Sequence, residues 1–115
     1  MIQAAQERPW AVTSKKVEET LRRIVDVAHP SRVIVFGSYA RGESTENSDL
    51  DIWVVKPKVQ NRYSEIKCIT KALRGLMLAV DLLLIDEDEL KQWAEVPGSV
   101  YRTAIREGKV IYEAA

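Results

Sequence analysis

The feature that most constrains the fold is residues 33–55, where a polar segment containing glycine separates two apolar runs. The first run reads VIVF and is followed by Gly37 and Ser38. The second run reads IWVV and comes directly after Asp49 and Asp51. Short apolar runs rich in β-branched residues predict buried strands. Two buried strands would hold the polar residues between them rigidly, which suits a phosphate and metal site.

The remainder of the chain predicts helices that alternate with strands. Helices are predicted over residues 13–29, 60–74, 86–93 and 97–107. Strands are predicted over residues 31–36, 49–55, 78–85 and 110–112. This alternation predicts an α/β or α+β domain, with a small mixed sheet of three or four strands covered by helices.

The helical period also predicts which side chains face the core. The expected inward residues are Tyr63, Ile66, Ile69 and Leu73 in the second helix, Leu90 and Trp93 in the third, and Val100, Ala104 and Ile105 in the last. Cys68 falls on the opposite side of its helix, and it is a bystander thiol in this interpretation. Asp86 and Glu89 have the spacing of a capping box.

Length and charge limit the class of protein. A chain of 115 residues is expected to form one domain, over 13–115, preceded by a flexible or docking segment over 1–12. The 17 basic and 17 acidic side chains balance, so direct nucleic-acid binding is not expected. The single cysteine and the lack of a signal sequence indicate a cytoplasmic protein. No membrane span is expected, because the longest apolar stretch, 76–85, is too short.

Three aspartates are candidates for a metal site. Asp49 and Asp51 are two residues apart on a predicted strand, so their side chains point to the same face, about 7 Å apart at the backbone. Asp81 lies in an apolar strand, where burying a lone carboxylate would cost several kcal/mol, so we expect it to be buried beside a partner. Oxygen ligands of this kind favour Mg²⁺ or Mn²⁺. Two such ions about 4 Å apart can clamp the attacking and leaving oxygens of a phosphoryl or nucleotidyl displacement.

A phosphate site is predicted beside these carboxylates. Gly37 lets the backbone approach a ligand closely, Ser38 offers a hydroxyl, and N–H groups at the start of the next turn attract phosphate. A metal-bound nucleoside triphosphate meets these requirements.

The combined pattern resembles a known family. GSYARGESTENSDLDIWVV is similar to the signature of the nucleotidyltransferase superfamily that includes DNA polymerase β, and it is closest to the minimal, or MNT-type, branch. VDLLLID resembles the strand that carries the third carboxylate, and SVYRTAIREGKVIYE resembles the C-terminal end of such domains. The resemblance covers roughly residues 13–113.

The resemblance implies roles for individual residues. Asp49 and Asp51 would bind both metal ions, and Asp81 would hold the ion that activates the attacking hydroxyl. Gly37 and Ser38 would bind the triphosphate.

Other residues near the motif keep two interpretations. Arg41 could contact phosphate or pair with a loop carboxylate such as Glu43 or Glu46. Trp53 shares the face of Asp49 and Asp51 by alternation, so it could line the site or sit in the core. Tyr39 could lie exposed near the site or simply pack.

The resemblance also implies a function. The expected reaction moves AMP from ATP to an acceptor hydroxyl and releases pyrophosphate. Small members of this family resemble antitoxins of HEPN-domain ribonuclease toxins, and some attach AMP to a tyrosine of the toxin, so a HEPN toxin encoded nearby is the expected partner. Two alternatives stay open: an antitoxin that only occludes its partner, and transfer to a small molecule such as an antibiotic. A homodimer is also compatible with the sequence.

Overall fold

The computed structural model of the chain describes residues 12–42, 49–99, 102 and 106–114. Its helices and strands, in chain order, are α1 (Ser14–Ala28), β1 (Arg32–Phe36), α2 (Gly37–Ala40), β2 (Leu50–Lys56), α3 (Arg62–Ala72), β3 (Val80–Asp86), α4 (Glu87–Ala94) and β4 (Lys109–Glu113). Of the predicted N-terminal segment, only Val12 falls within the described residues, and it packs against the main core.

The four strands form one sheet in the order β3-β2-β1-β4. β1 pairs antiparallel with both β2 and β4, whereas β2 pairs parallel with β3. The sheet is therefore mixed, which confirms the predicted fold class. β3 lies at one edge, and the antiparallel pair of β1 and β2 occupies the centre.

The two faces of the sheet pack against different helices. Residues at alternate positions in β1, β2 and β3 join buried side chains of α1 and α3 in the main core. On the opposite face, Leu90 of α4 packs with Ile34 and Phe36 of β1, Val55 of β2 and Ile85 of β3. The second face is thus covered at the carboxyl ends of β2 and β3, where α4 begins.

The helix ends follow the sequence signals. Thr13 accepts a hydrogen bond from the backbone N–H of Lys16 and caps the start of α1, and His29, in the left-handed conformation (φ 48°), caps its end. The predicted capping box of α4 is confirmed, because Asp86 and Glu89 each accept a hydrogen bond from the other's backbone N–H. These two residues fix α4 directly against the end of β3.

Some predicted core positions are wrong. Tyr63 is 75% exposed and Trp93 is 43% exposed, whereas Ile69 and Leu90 on the same helices are buried. The period of a helix shows which side faces the core, but it does not show how far the core extends along the helix. Cys68 is exposed, as predicted.

The end of the chain is described in part. Val100, Ala104 and Ile105, predicted to face inward, lie outside the described residues. Ser99 Oγ accepts a hydrogen bond from the backbone N–H of Arg102, which is a helical residue. Within the described part of the chain, no helix has the length and apolar character to cross a membrane.

Candidate active site

The two aspartates that are far apart in sequence meet on adjacent strands. Asp51 of β2 is the register partner of Asp81 of β3 in the parallel pair. Parallel strands lie about 4.8 Å apart, and side chains of paired residues point to the same face. The register of β2 and β3 therefore brings these two aspartates side by side.

Asp49 lies one residue before β2, at the same end of the sheet. Burial raises the pKa of Asp51 above its ordinary value of 3.8, and the charges of Asp81 and Asp49 raise it further. Both neighbours are therefore close enough to repel the ionised Asp51 carboxylate. The three aspartates form a cluster of negative charge that favours a bound cation.

The expectation that Asp81 is buried is wrong. Asp81 and Asp49 are exposed, and Asp51 is half-buried. Asp81 lies at the amino end of an edge strand, whereas Leu90 of α4 packs near the carboxyl end of that strand. The carboxylate of Asp81 is therefore accessible to a ligand from solvent.

Gly37 forms the wall of the site on the side of β1. Phe36, the last residue of β1, is the register partner of Asp51, and Gly37 follows it with a φ of 70°. A Cβ atom on Gly37 would overlap with Oδ2 of Asp51. Only glycine combines this conformation with this close approach.

The other predicted site residues lie around the short helix α2. Ser38 is half-buried in its first turn, next to Gly37. Arg41 is exposed at the end of α2, and its backbone N–H donates to the carbonyl of Gly37. Glu43 and Glu46, the alternative partners of Arg41, lie outside the described residues.

An aromatic pair lies beside the carboxylates. The rings of Phe36 and Trp53 have centroids 4.4 Å apart at an interplanar angle of 51°. Trp53 is half-buried and packs against the cluster around Leu90 on the face of the sheet that α4 covers, so it supports the sheet. Tyr39 is also half-buried and packs against the main core.

Gly108 lies against the aromatic pair, and the sequence did not predict this contact. A Cβ atom on Gly108 would overlap with the ring of Phe36, and it would also approach Ile34. Gly108 looks like a simple helix stop in the sequence, since the ring that lies against it comes from a strand 72 positions earlier. No local signal in the sequence reveals this contact.

The residues present fit hard divalent cations in their chemistry. All three side chains offer carboxylate oxygens, which Mg²⁺ and Mn²⁺ prefer. Among the described residues, no three His, Cys, Asp or Glu side chains form a complete ligand set. Rotation of the exposed Asp49 and Asp81 side chains would be needed to bring their oxygens around an ion.

Comparison with known proteins agrees with this geometry. Residues 15–115 match the family model described as polymerase beta, nucleotidyltransferase. The chain belongs to this family. It is a nucleotidyltransferase. A Methanocaldococcus jannaschii protein, named as a proposed protein adenylyltransferase, is 35% identical over 81 residues, which is 70% of this chain and 77% of that relative.

The nucleotidyltransferase also shares its fold with solved structures of toxin–antitoxin pairs. One is a toxin–antitoxin structure with AMP-PNP (21% identity, TM-score 0.57), which covers 90% of this chain and 75% of the other. Another is a tri-AMPylated Shewanella oneidensis HEPN toxin in complex with its MNT antitoxin (17% identity, TM-score 0.55), which covers 88% and 72%. At these identities the likeness concerns the fold.

Proposed function

We propose that this nucleotidyltransferase moves AMP from ATP to a tyrosine hydroxyl of a HEPN-type toxin and thereby acts as its antitoxin. The observation that carries the proposal is the register pairing of Asp51 with Asp81, beside Asp49 and the glycine wall of the site. The M. jannaschii relative supports a protein acceptor, because its name proposes protein adenylyltransfer. The AMPylated HEPN toxin bound to an MNT antitoxin supports the choice of partner.

In the proposed reaction, the oxygen of the acceptor hydroxyl attacks the α-phosphorus of ATP. The bond from that phosphorus to the oxygen bridging to the β-phosphate breaks, and pyrophosphate leaves. Asp81 would accept the hydroxyl proton, and its exposure on the edge strand of the sheet supports this role. The backbone at Gly37 and the hydroxyl of Ser38 would hold the triphosphate on the side of Asp51 that is away from Asp81.

The carboxylates would hold two Mg²⁺ ions, or Mn²⁺ in their place. Asp49 and Asp51 would contact both ions, and Asp81 would contact the ion nearer the acceptor. When bound, such ions supply positive charge that stabilises the attacking and leaving oxygens. Burial and the charges of Asp81 and Asp49 raise the pKa of Asp51, and binding of a cation would relieve the part that comes from charge repulsion.

Transfer of label from ATP tests the proposal. The purified chain is incubated with α-labelled ATP, Mg²⁺ and the HEPN-type protein encoded beside it. We expect labelled toxin, and we expect Asp49→Ala to lower the rate about 10³-fold, since loss of a metal ligand removes several kcal/mol of transition-state stabilisation. Asp26→Ala, an exposed carboxylate on α1, is the matched control. Equal labelling by wild type and Asp49→Ala would refute the catalytic assignment.

The two alternatives have their own readouts. If the chain only occludes its partner, a variant with Ala at all three aspartates still neutralises the toxin in cells. If the acceptor is a small molecule, label appears in a low-molecular-weight product when a hydroxyl compound such as an antibiotic replaces the toxin. A homodimer would then be expected to complete the acceptor site across its interface, and sedimentation would detect it.

A further inference from the structure

A second surface with binding chemistry lies on the opposite face of the sheet from the aspartates, along the solvent side of α3. Tyr63 begins it at 75% exposure, and the Lys67 ammonium lies 5.5 Å from the centroid of that ring. Thr70 and Lys71 of α3 continue it, followed by Arg74 in the turn after the helix, and all three are exposed. These positions recur at helical spacing, so they form one stripe.

The charge of this stripe is uncompensated. Residues 62–75 contain four basic side chains and one acidic side chain, Glu65. Glu65 is paired with Lys56, and Arg62 is paired with Glu89, so the excess in this range comes from Lys67, Lys71 and Arg74. Within the described part of the chain, the side chains of Lys71 and Arg74 have no carboxylate partner. A chain with no net charge therefore carries a local excess of positive charge here.

An apolar groove continues from the stripe. It has a volume of about 310 Å³ and lies between the end of α3 and the edge strand β3. Thr70 and Arg74 belong to both the stripe and the groove. The groove is lined mainly by apolar side chains, namely Leu73, Met77, Leu78, Val80 and Leu82.

Met77 marks the open side of this groove. Its side chain is 45% exposed, although the residue is large and apolar. Its backbone is in the left-handed region (φ 53°), and its carbonyl accepts a hydrogen bond from Lys16 Nζ. The turn is thus held in a conformation that presents an apolar side chain to solvent beside basic residues.

We propose that this surface, defined by Tyr63, Lys67, Lys71, Arg74 and the adjoining groove, docks an acidic amphipathic segment of a protein partner. Apolar residues of the segment would fill the groove, and its carboxylates would meet Lys71 and Arg74 at the rim. An amphipathic helix laid in a groove is a common mode of peptide recognition.

The charge argues against other occupants. A second copy of this chain across a twofold axis would place the basic patch of both copies in one interface, since such an interface uses one patch twice. A nucleic acid would satisfy the cations, but it would gain little from an apolar groove, because nucleic-acid interfaces are polar and broadly basic. An acidic amphipathic segment would pair its carboxylates with the basic stripe and place its apolar side chains in the groove.

Fluorescence anisotropy with defined probes tests this proposal. The probes are a labelled peptide of about 18 residues with leucine at helical spacing and glutamate elsewhere, its lysine counterpart, and a single-stranded RNA. We expect saturable binding of the acidic peptide only, weakened by added salt. Lys71→Glu/Arg74→Glu should weaken binding about tenfold, as expected for two rim charges.

Matched variants separate charge from fold. Lys91→Glu/Lys109→Glu makes the same charge change at exposed sites on α4 and β4, and it should leave the affinity unchanged. Met77→Asn, which tolerates the left-handed backbone, should weaken binding about fivefold by removing apolar contact. Circular dichroism confirms that each variant is folded.

Three results would overturn the proposal: no saturable binding of the acidic peptide, equal effects of the two double variants, or tighter binding of the RNA. Sedimentation that shows a dimer broken by Lys71→Glu/Arg74→Glu would assign the surface to a second copy instead. The assay contains neither ATP nor metal, so its outcome is independent of whether AMP transfer occurs.

Discussion

The backbone of Gly37 lies so close to the Asp51 carboxylate that a Cβ atom at position 37 would overlap with Oδ2. The contact arises because Phe36 pairs with Asp51 across β1 and β2, and the chain turns at Gly37 with a φ of 70°. Two requirements thus coincide at one residue. The turn needs a left-handed backbone, and the carboxylate needs the space that a side chain would occupy.

Gly37→Ala is expected to displace the Asp51 carboxylate. We expect the affinity for Mn²⁺, measured by calorimetry, to fall about tenfold or more. The backbone strain should also cost about 1–2 kcal/mol of unfolding free energy. Gly42→Ala is the control for strain alone, because Gly42 has a φ of 73° but nothing lies within 4 Å of the position that its Cβ atom would occupy. Equal Mn²⁺ affinity in both variants would show that the close approach does not matter.

Asp51→Asn is expected to abolish transfer while stabilising the metal-free protein. The pKa of Asp51 is raised in the folded protein by burial and by Asp81 and Asp49. Its stabilising contribution is complete below the unfolded pKa and is lost as pH rises through the folded pKa. Urea denaturation in EDTA should show a small gain in unfolding free energy at pH 7, and this gain should vanish below the ordinary pKa of 3.8. A variant less stable than wild type at pH 7 would contradict this.

The ion pair between Arg32 and Glu87 is expected to stabilise the fold in a pH-dependent way. Arg32 donates hydrogen bonds to both carboxylate oxygens, and with Ser31 it lowers the pKa of Glu87 below its ordinary value of 4.5. The stabilisation is therefore present above that value and is lost as pH falls through the lowered pKa. Arg32→Met should cost about 1 kcal/mol in urea denaturation at pH 7, since both side chains are partly exposed.

The loss from Arg32→Met should shrink when the measurement is repeated well below pH 4.5, the ordinary value for Glu87. Arg22→Met serves as the control, because Arg22 is 61% exposed and pairs with Glu19 and Asp26 on its own helix. Its substitution should change stability little at either pH. A pH-independent loss in Arg32→Met would indicate packing of the arginine stem instead.

Gly108→Ala is expected to destabilise the protein by pushing on the ring of Phe36. Overpacking of this kind costs about 1–3 kcal/mol. Phe36→Leu removes the ring that clashes, so the double variant should lose less stability than the sum of the single losses. Urea denaturation of all four proteins gives the coupling energy. If the two single losses add to the loss in the double variant within about 0.5 kcal/mol, the contact does not contribute to stability.

Local patterns in the sequence predicted much of the secondary structure and part of the candidate site. The strands around Val35 and Val54, the capping box of Asp86 and Glu89, and the placement of Asp49 and Asp51 follow from hydrophobic period and short-range hydrogen bonding. The family was recognisable for the same reason, because its glycine, serine and first two aspartates lie within one short stretch. The assignment of catalytic roles to these residues is a prediction that the transfer assay tests.

The sequence by itself predicted most of the helices and strands that the structure describes, and it predicted a mixed sheet with Asp49 and Asp51 beside one of its strands. Only the tertiary structure decided that Asp81 is open to solvent, because its exposure depends on β3 lying at the sheet edge and on which end of it α4 covers. The contact of Gly108 with Phe36 was likewise decided by chain segments far apart in sequence. Periodicity fixes the direction of a side chain, whereas burial depends on what the rest of the chain brings to that face.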